Sequence, residues 1–177
     1  MKSTEILSKL QGGDRRSIGK VGEVVGAVQK KPDLFKDLVT GLFDDDPVVC
    51  MRTADAMEKI SRENPELLQP FKARLISLAQ QTQQQELRWH VAQMIPRVKL
   101  TPAETAKVTE MLFEYLEDKS KIVVTFAMQA LSDLAMREAK VPERVISTIE
   151  NLARSGSPAI KSRGKKLLSQ LAKRKYI

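Results

Sequence analysis

Apolar residues return along this chain at helical rather than strand spacing. The clearest case runs from Asp46 to Ile60, where Val49, Thr53, Ala56, Met57 and Ile60 follow one another at i, i+4, i+7, i+8 and i+11. That spacing draws one stripe down the side of a helix. Short polar or Pro-marked breaks divide the rest into segments of the same kind. The pattern predicts ten helices, over about 4–11, 15–30, 33–43, 47–63, 66–81, 84–98, 102–117, 120–139, 142–154 and 158–175. Asp46-Pro47, Thr101-Pro102 and Ser157-Pro158 each place a capping side chain ahead of a Pro. A Pro's missing N–H is no loss at the first helical position. Thr101 with Glu104 has capping-box spacing, while Asn64-Pro65 and Val141-Pro142 close one helix and start the next. No stretch sustains period-2 alternation with turn chemistry, so no sheet is expected.

The Asp46 stretch repeats. Asp46-Pro47-Val48-Val49 lies over Gln84-Gln85-Glu86-Leu87, Ser120-Lys121-Ile122-Val123, Ser157-Pro158-Ala159-Ile160 and, loosely, Asp14-Arg15-Arg16-Ser17. Downstream, Ala56-Met57 then Ile60 matches Met94-Ile95 then Val98, Ala130-Leu131 then Leu134, Leu167-Leu168 then Leu171, and Val24-Val25 then Val28. Successive copies are offset by 32, 38, 36 and 37 residues, a period that two helices per unit would fill. Such pairs cannot bury their apolar faces alone and must stack.

Asp46-Pro47-Val48-Val49, followed by Ala54, Ala56-Met57 and Ile60, resembles the second helix of a HEAT repeat. That family's pattern is Asp-Pro-x-Val-Arg, then Ala, then Ala-Leu and a final aliphatic. The Arg position is kept at Arg88 and Lys161 and lost at Cys50, Val124 and Ile18. The resemblance implies an all-α, right-handed α-solenoid of about five antiparallel helix pairs, whose second helices line the concave face. One domain over 1–177 is expected, with units near 1–31, 32–64, 65–100, 101–140 and 141–177. Small residues (Ala54, Ala56, Ala92, Ala130, Gly164) would let helices approach closely, and Gly19, Gly22 and Gly26, inside one helix, are read as marking close packing or else a weakly stable first unit. Leu112, Phe113, Leu116, Phe126 and Leu131 suggest a well-buried middle.

Composition narrows the class. Aromatics make up 5% of the 177 residues and the single Cys rules out an internal disulfide framework or a Cys-based metal cluster. The beginning, Met1-Lys2-Ser3-Thr4-Glu5, lacks a signal-peptide apolar core. A cytoplasmic protein without a membrane segment or cofactor is expected. The net charge of +8 is uneven: residues 141–177 hold nine Lys/Arg against two Asp/Glu, and none of the acids lies beyond Ser155. Such asymmetry bears on partners rather than on fold.

Candidate chemistry is sparse. His90, the one His, has no carboxylate or nucleophile among its sequence neighbours Arg88, Trp89 and Gln93, so catalysis is not expected of it. Cys50 follows three acids, Asp44 to Asp46, which oppose a reactive thiolate. The same acids lack the spaced oxygens of a Ca²⁺ loop and are read as helix-capping, and no metal site is predicted. The glycines at 12, 13, 19, 22 and 26 have no preceding strand and no following Gly-Lys-Ser/Thr, so they make no phosphate loop. HEAT-like folds also serve glycosylases for alkylated DNA bases, but the aromatic and acid constellation such a site needs is not evident beside Trp89, Tyr115 and Tyr176.

Repeat alignment instead picks out two ladders. One joins Lys20, Arg52, His90, Phe126 and Arg163; the other joins Lys59 and Arg97, with Ala27, Asp133 and Gln170 at the equivalent positions. Both fall off the apolar stripe, so an inner line of largely basic residues is expected, with Trp89 beside it and Glu23, Asp55 and Asp133 interrupting it. A basic C-terminal helix would continue the line through Lys161, Lys165, Lys166, Lys173, Arg174 and Lys175. The leading expectation is a non-enzymatic scaffold that binds a protein partner on the concave face. The alternative is nucleic-acid binding through the basic helix and ladder, with or without a glycosylase-like activity.

Overall fold

The computed structural model describes residues 3–14, 16–137 and 142–174. Ten α-helices run through them: α1 (Ser3–Ser8), α2 (Val21–Lys30), α3 (Phe35–Thr40), α4 (Pro47–Glu63), α5 (Lys72–Gln81), α6 (Gln85–Met94), α7 (Pro102–Tyr115), α8 (Lys121–Ala135), α9 (Glu143–Ser155) and α10 (Pro158–Arg174). Short 3₁₀ turns join them at Pro32–Leu34, Gly41–Phe43, Pro65–Phe71 and Ile95–Arg97, and no strand occurs among the described residues.

The helix starts lie where the capping chemistry puts them. The Asp46 carboxylate accepts the Val48 N–H at 2.8 Å. Thr101 and Glu104 close a reciprocal capping box, with the Thr101 N–H donating to the Glu104 carboxylate at 2.7 Å. A second device recurs that residue types alone did not announce. The backbone N–H of Asp46 donates to Asp44 Oδ1 (2.9 Å), that of Gln84 to Thr82 Oγ1 (3.2 Å) and that of Ser120 to Asp118 Oδ1 (2.7 Å). Each is a side-chain turn two residues before the cap of α4, α6 or α8, so these three helices are approached by the same bend.

Four expected helices differ. The 33–43 segment is α-helical only over Phe35–Thr40, between the 3₁₀ turns at Pro32–Leu34 and Gly41–Phe43. The 66–81 segment runs as a 3₁₀ turn through Phe71 and becomes α5 only at Lys72, because Pro70 supplies no N–H for an α-helical bond. Pro96 likewise tightens the end of the 84–98 segment into the Ile95–Arg97 turn. The 15–30 segment is the larger departure. α2 begins at Val21, and Gly12 (φ 74°), Gly13 (φ 74°) and Gly19 (φ 53°) all lie in the left-handed region, which stops a right-handed helix from running through them. Gly22 and Gly26 are inside α2, yet a Cβ at either would meet no neighbour within 4 Å, so neither is a close-packing position.

The chain divides into two compact units, 1–98 and 99–177. In the first, α4 packs against α2 on one side and α6 on the other, and α5 pairs with α6. Val24, Val28, Val49, Ala56, Met57, Ile60, Leu75 and Val91 are completely buried there. Each large aliphatic among them contributes about 1.5–3 kcal/mol. In the second unit α7 packs on α8, and α10 packs on both α8 and α9. Leu112, Val123, Ala127, Leu131, Ile149 and Leu167 fill its core. Gly164 is what brings α10 close to α9: a Cβ there would lie 2.8 Å from Ala153 Cβ and 3.2 Å from its Cα.

Candidate functional site

In the first unit the second helices α4 and α6 share a polar face. Asp55 and Lys59, one turn apart on α4, form an ion pair at 2.7 Å. Behind them Glu58 is 1% exposed and is clamped by two arginines. Arg62 donates to both of its carboxylate oxygens (2.9 and 2.6 Å), and Arg97 Nη2 donates to Oε1 at 2.5 Å. Arg97 Nη1 also bonds the Glu58 carbonyl and Ser61 Oγ, both at 2.7 Å. Burial pushes the Glu58 pKa up, but the bonds and charges of Arg62 and Arg97 outweigh it and hold the carboxyl below its ordinary range. Lys59 and Arg97, expected as free rungs of a basic ladder, are thus internally neutralised cations.

His90 on α6 faces these α4 charges. Its Nδ1 is buried and meets no hydrogen-bond partner. Burial lowers its pKa, against the opposing pull of Asp55 and Glu58, which favours neutral imidazole. Trp89 lies beside it, half-buried, with ring centroids 5.6 Å apart and planes tilted by 58°. His90 therefore lies between the Trp89 ring and charges that already have partners.

Arg52 does not belong to that face. It is 2% exposed, and its guanidinium points into the 10–17 loop. Nε donates to the Ser17 carbonyl at 3.0 Å; Nη1 reaches those of Leu10, Gln11 and Gly12 at 2.8, 3.3 and 2.6 Å; Nη2 reaches that of Asp14 at 3.2 Å. The expectation of a ligand-facing Arg52 is corrected: it is the post around which the loop is wound. The nearby glycines follow from it, since a Cβ at Gly19 would lie 3.0 Å from the guanidinium carbon and one at Gly13 3.2 Å from Nη2. Lys20 is exposed ahead of α2. It lines an open cleft of about 530 Å³ with Lys9, whose ammonium is paired with Glu23.

Cys50 is buried, and its thiol donates to the Asp44 carbonyl at 3.0 Å. Burial, reinforced by the Asp44 carboxylate, raises the pKa of the thiol. At the equivalent place in the next copy, Arg88 Nε donates to the Thr82 carbonyl at 2.9 Å. One position thus makes the same bond six residues back with two different side chains.

In the second unit Phe126 is half-buried on α8. Arg163 Nη1 donates to Gln129 Oε1 at 2.7 Å, and Gln129 Nε2 in turn donates to Asp133 at 2.8 Å, so Arg163 ties α10 to α8. Lys161, Lys165, Lys166 and Lys173 are exposed on α10. Lys175 and the side chain of Arg174 lie outside the described residues. No group of three or more His, Cys, Asp or Glu able to hold a metal occurs among the described residues.

Helix pairs stacked with recurrent caps, turns and apolar stripes define an α-helical repeat protein. The chain belongs to the HEAT repeat domain family, whose pattern it matches over residues 9–171. HEAT repeats are helical scaffolds that commonly mediate protein interactions, on which function is set by surface residues rather than by the fold. Comparison with curated proteins gave no match. None of the helices, among the described residues, is long and apolar enough to cross a membrane.

Proposed function

We propose that this protein is a non-enzymatic scaffold that binds a protein partner on the α4–α6 face. The observation that carries the reading is Trp89. A large aromatic side chain is left partly exposed on a second helix, with its ring against His90, and His90 in turn faces Asp55, Glu58, Lys59 and Arg62, which are paired among themselves and with Arg97. Aromatic anchors inside a ring of polar groups dominate interface energetics. Because the surrounding charges are already fixed, little side-chain freedom is lost on docking. The same pairing argues against an inner track for phosphates, since Arg52, Lys59, Arg97 and Arg163 all have internal partners. His90, with its Nδ1 sealed from solvent, is poorly placed to relay protons, which supports a binding role over a catalytic one. The reading places the protein in the cytoplasm, where the lone Cys50 stays reduced.

A photo-crosslinking residue in place of Gln93, one turn beyond Trp89, tests this reading. Protein adducts should form from position 93 and not from a matched substitution at Lys36, exposed on α3. Adducts to nucleic acid alone, or protein adducts from Lys36 but not from 93, contradict it.

A further inference from the structure

α10 carries a second surface, independent of the α4–α6 face. The helix contains no acid over its 17 residues, and the sequence has no Asp or Glu after Glu150. Ile160, Gly164, Leu167 and Leu171 form its buried side. At 3.6 residues per turn, Lys161, Lys165, Lys166 and Lys173 fall within an arc of about 140° on the opposite side, in a row about 18 Å long. Ser162 and Ser169 lie in the middle of that arc and are exposed with the lysines. None of the four ammonium groups is paired with a described carboxylate. The contrast with Arg163 on the flank, which is bonded to Gln129, separates the cation that holds the fold from those that do not.

We propose that this arc is a landing surface for duplex nucleic acid, held through its phosphodiester backbone without sequence readout. Unpaired ammonium groups along a straight rod suit a rigid line of phosphates. The Ser162 and Ser169 hydroxyls among them are of the kind that donate to phosphate oxygens. The arc exposes no aromatic side chain to stack on an unpaired base and no large apolar one to enter a bilayer. It also lacks the apolar anchor that a protein segment would dock on. The duplex backbone is the polyanion class that needs none of these.

The test is fluorescence anisotropy of the full-length protein with a random-sequence 20-base-pair duplex between about 50 and 200 mM salt. With up to four phosphate contacts, log K against log salt should fall with a slope of about −3 to −4, roughly a 100-fold loss over that range. Joint reversal of Lys165, Lys166 and Lys173 to Glu should weaken binding more than tenfold at the low-salt end and flatten the slope, with native circular dichroism. Joint reversal of the exposed Lys30, Lys31 and Lys36 serves as a control of equal charge and should have a far smaller effect. Three outcomes overturn the proposal: no binding at low salt, equal losses in both triple variants, or tighter α10-dependent binding to phosphatidylserine vesicles or polyglutamate than to the duplex. Because these residues lie outside the α4–α6 face, failure here leaves the protein-binding reading standing, and the converse holds.

Discussion

Removing the Arg52 side chain would leave five backbone carbonyls, from Leu10 to Ser17, without their common donor. Arg52→Ala should therefore lower stability by about 3 kcal/mol in denaturant unfolding and raise amide exchange in residues 10–19 before the rest of the first unit opens. Lys cannot replace it, since one ammonium cannot span acceptors that a planar fork reaches from three nitrogens. This role was not legible from spacing. A charged residue off the apolar stripe reads as exposed, and the partner loop starts 42 residues earlier in the chain; the only local hint was the glycine cluster, whose closeness to Arg52 is a tertiary fact. At Glu58 and His90 the folded pKa lies below the unfolded one, so both contribute stability at higher pH that is lost on acidification. His90 should act first, as pH falls below about 6.5, and Glu58 below about 4.5, the respective ordinary values. His90→Phe should flatten the upper part of a stability-against-pH curve, and Glu58→Gln the lower part.

Helix starts were the most legible elements, because caps act within four residues of sequence. Asp46, Thr101 and the Pro positions place α4, α7 and α10 within a residue of their observed starts. Thr101→Ala should cost about 1 kcal/mol in thermal or chemical unfolding by breaking the capping box. The turns before α4, α6 and α8 were harder to see, because Asp44, Thr82 and Asp118 share a position but not a residue type. α2 starts later than its apolar spacing predicts because the residues ahead of it answer to a distant partner. Its apolar residues Val21, Val24 and Val28 keep helical spacing and are fully buried, but Gly13 and Gly19 ahead of them follow the demands of Arg52. At the α9–α10 contact, Gly164→Leu should push the helices apart and destabilise by about 1–3 kcal/mol, whereas Gly22→Ala, with no neighbour near its Cβ, should raise stability by about 0.5–1 kcal/mol.

For the whole molecule, periodicity identified the repeat class because each copy must bury the same stripe, and the family match over residues 9–171 rests on that shared constraint. Surface function was less legible. Alignment could place cations on one helix face and show Asp55 one turn from Lys59, but not that Arg97 and Arg163 are held as well, since Glu58, Ser61 and Gln129 reach them only in the folded chain. Among the described residues of the two ladders and of α10, Trp89 with His90 and the exposed Lys20 remain at the surface of one unit, and Phe126 with the lysine arc of α10 at that of the other. The most direct test of the scaffold reading is the dissociation constant of the partner captured from position 93, measured for the unaltered protein, for Trp89→Ala and for the α10 charge-reversal variant. If Trp89 is the anchor, its truncation should weaken binding about 30-fold or more, with helical content unchanged and the α10 variant close to the unaltered protein. An unchanged constant for Trp89→Ala, or a loss confined to the α10 variant, would contradict the account.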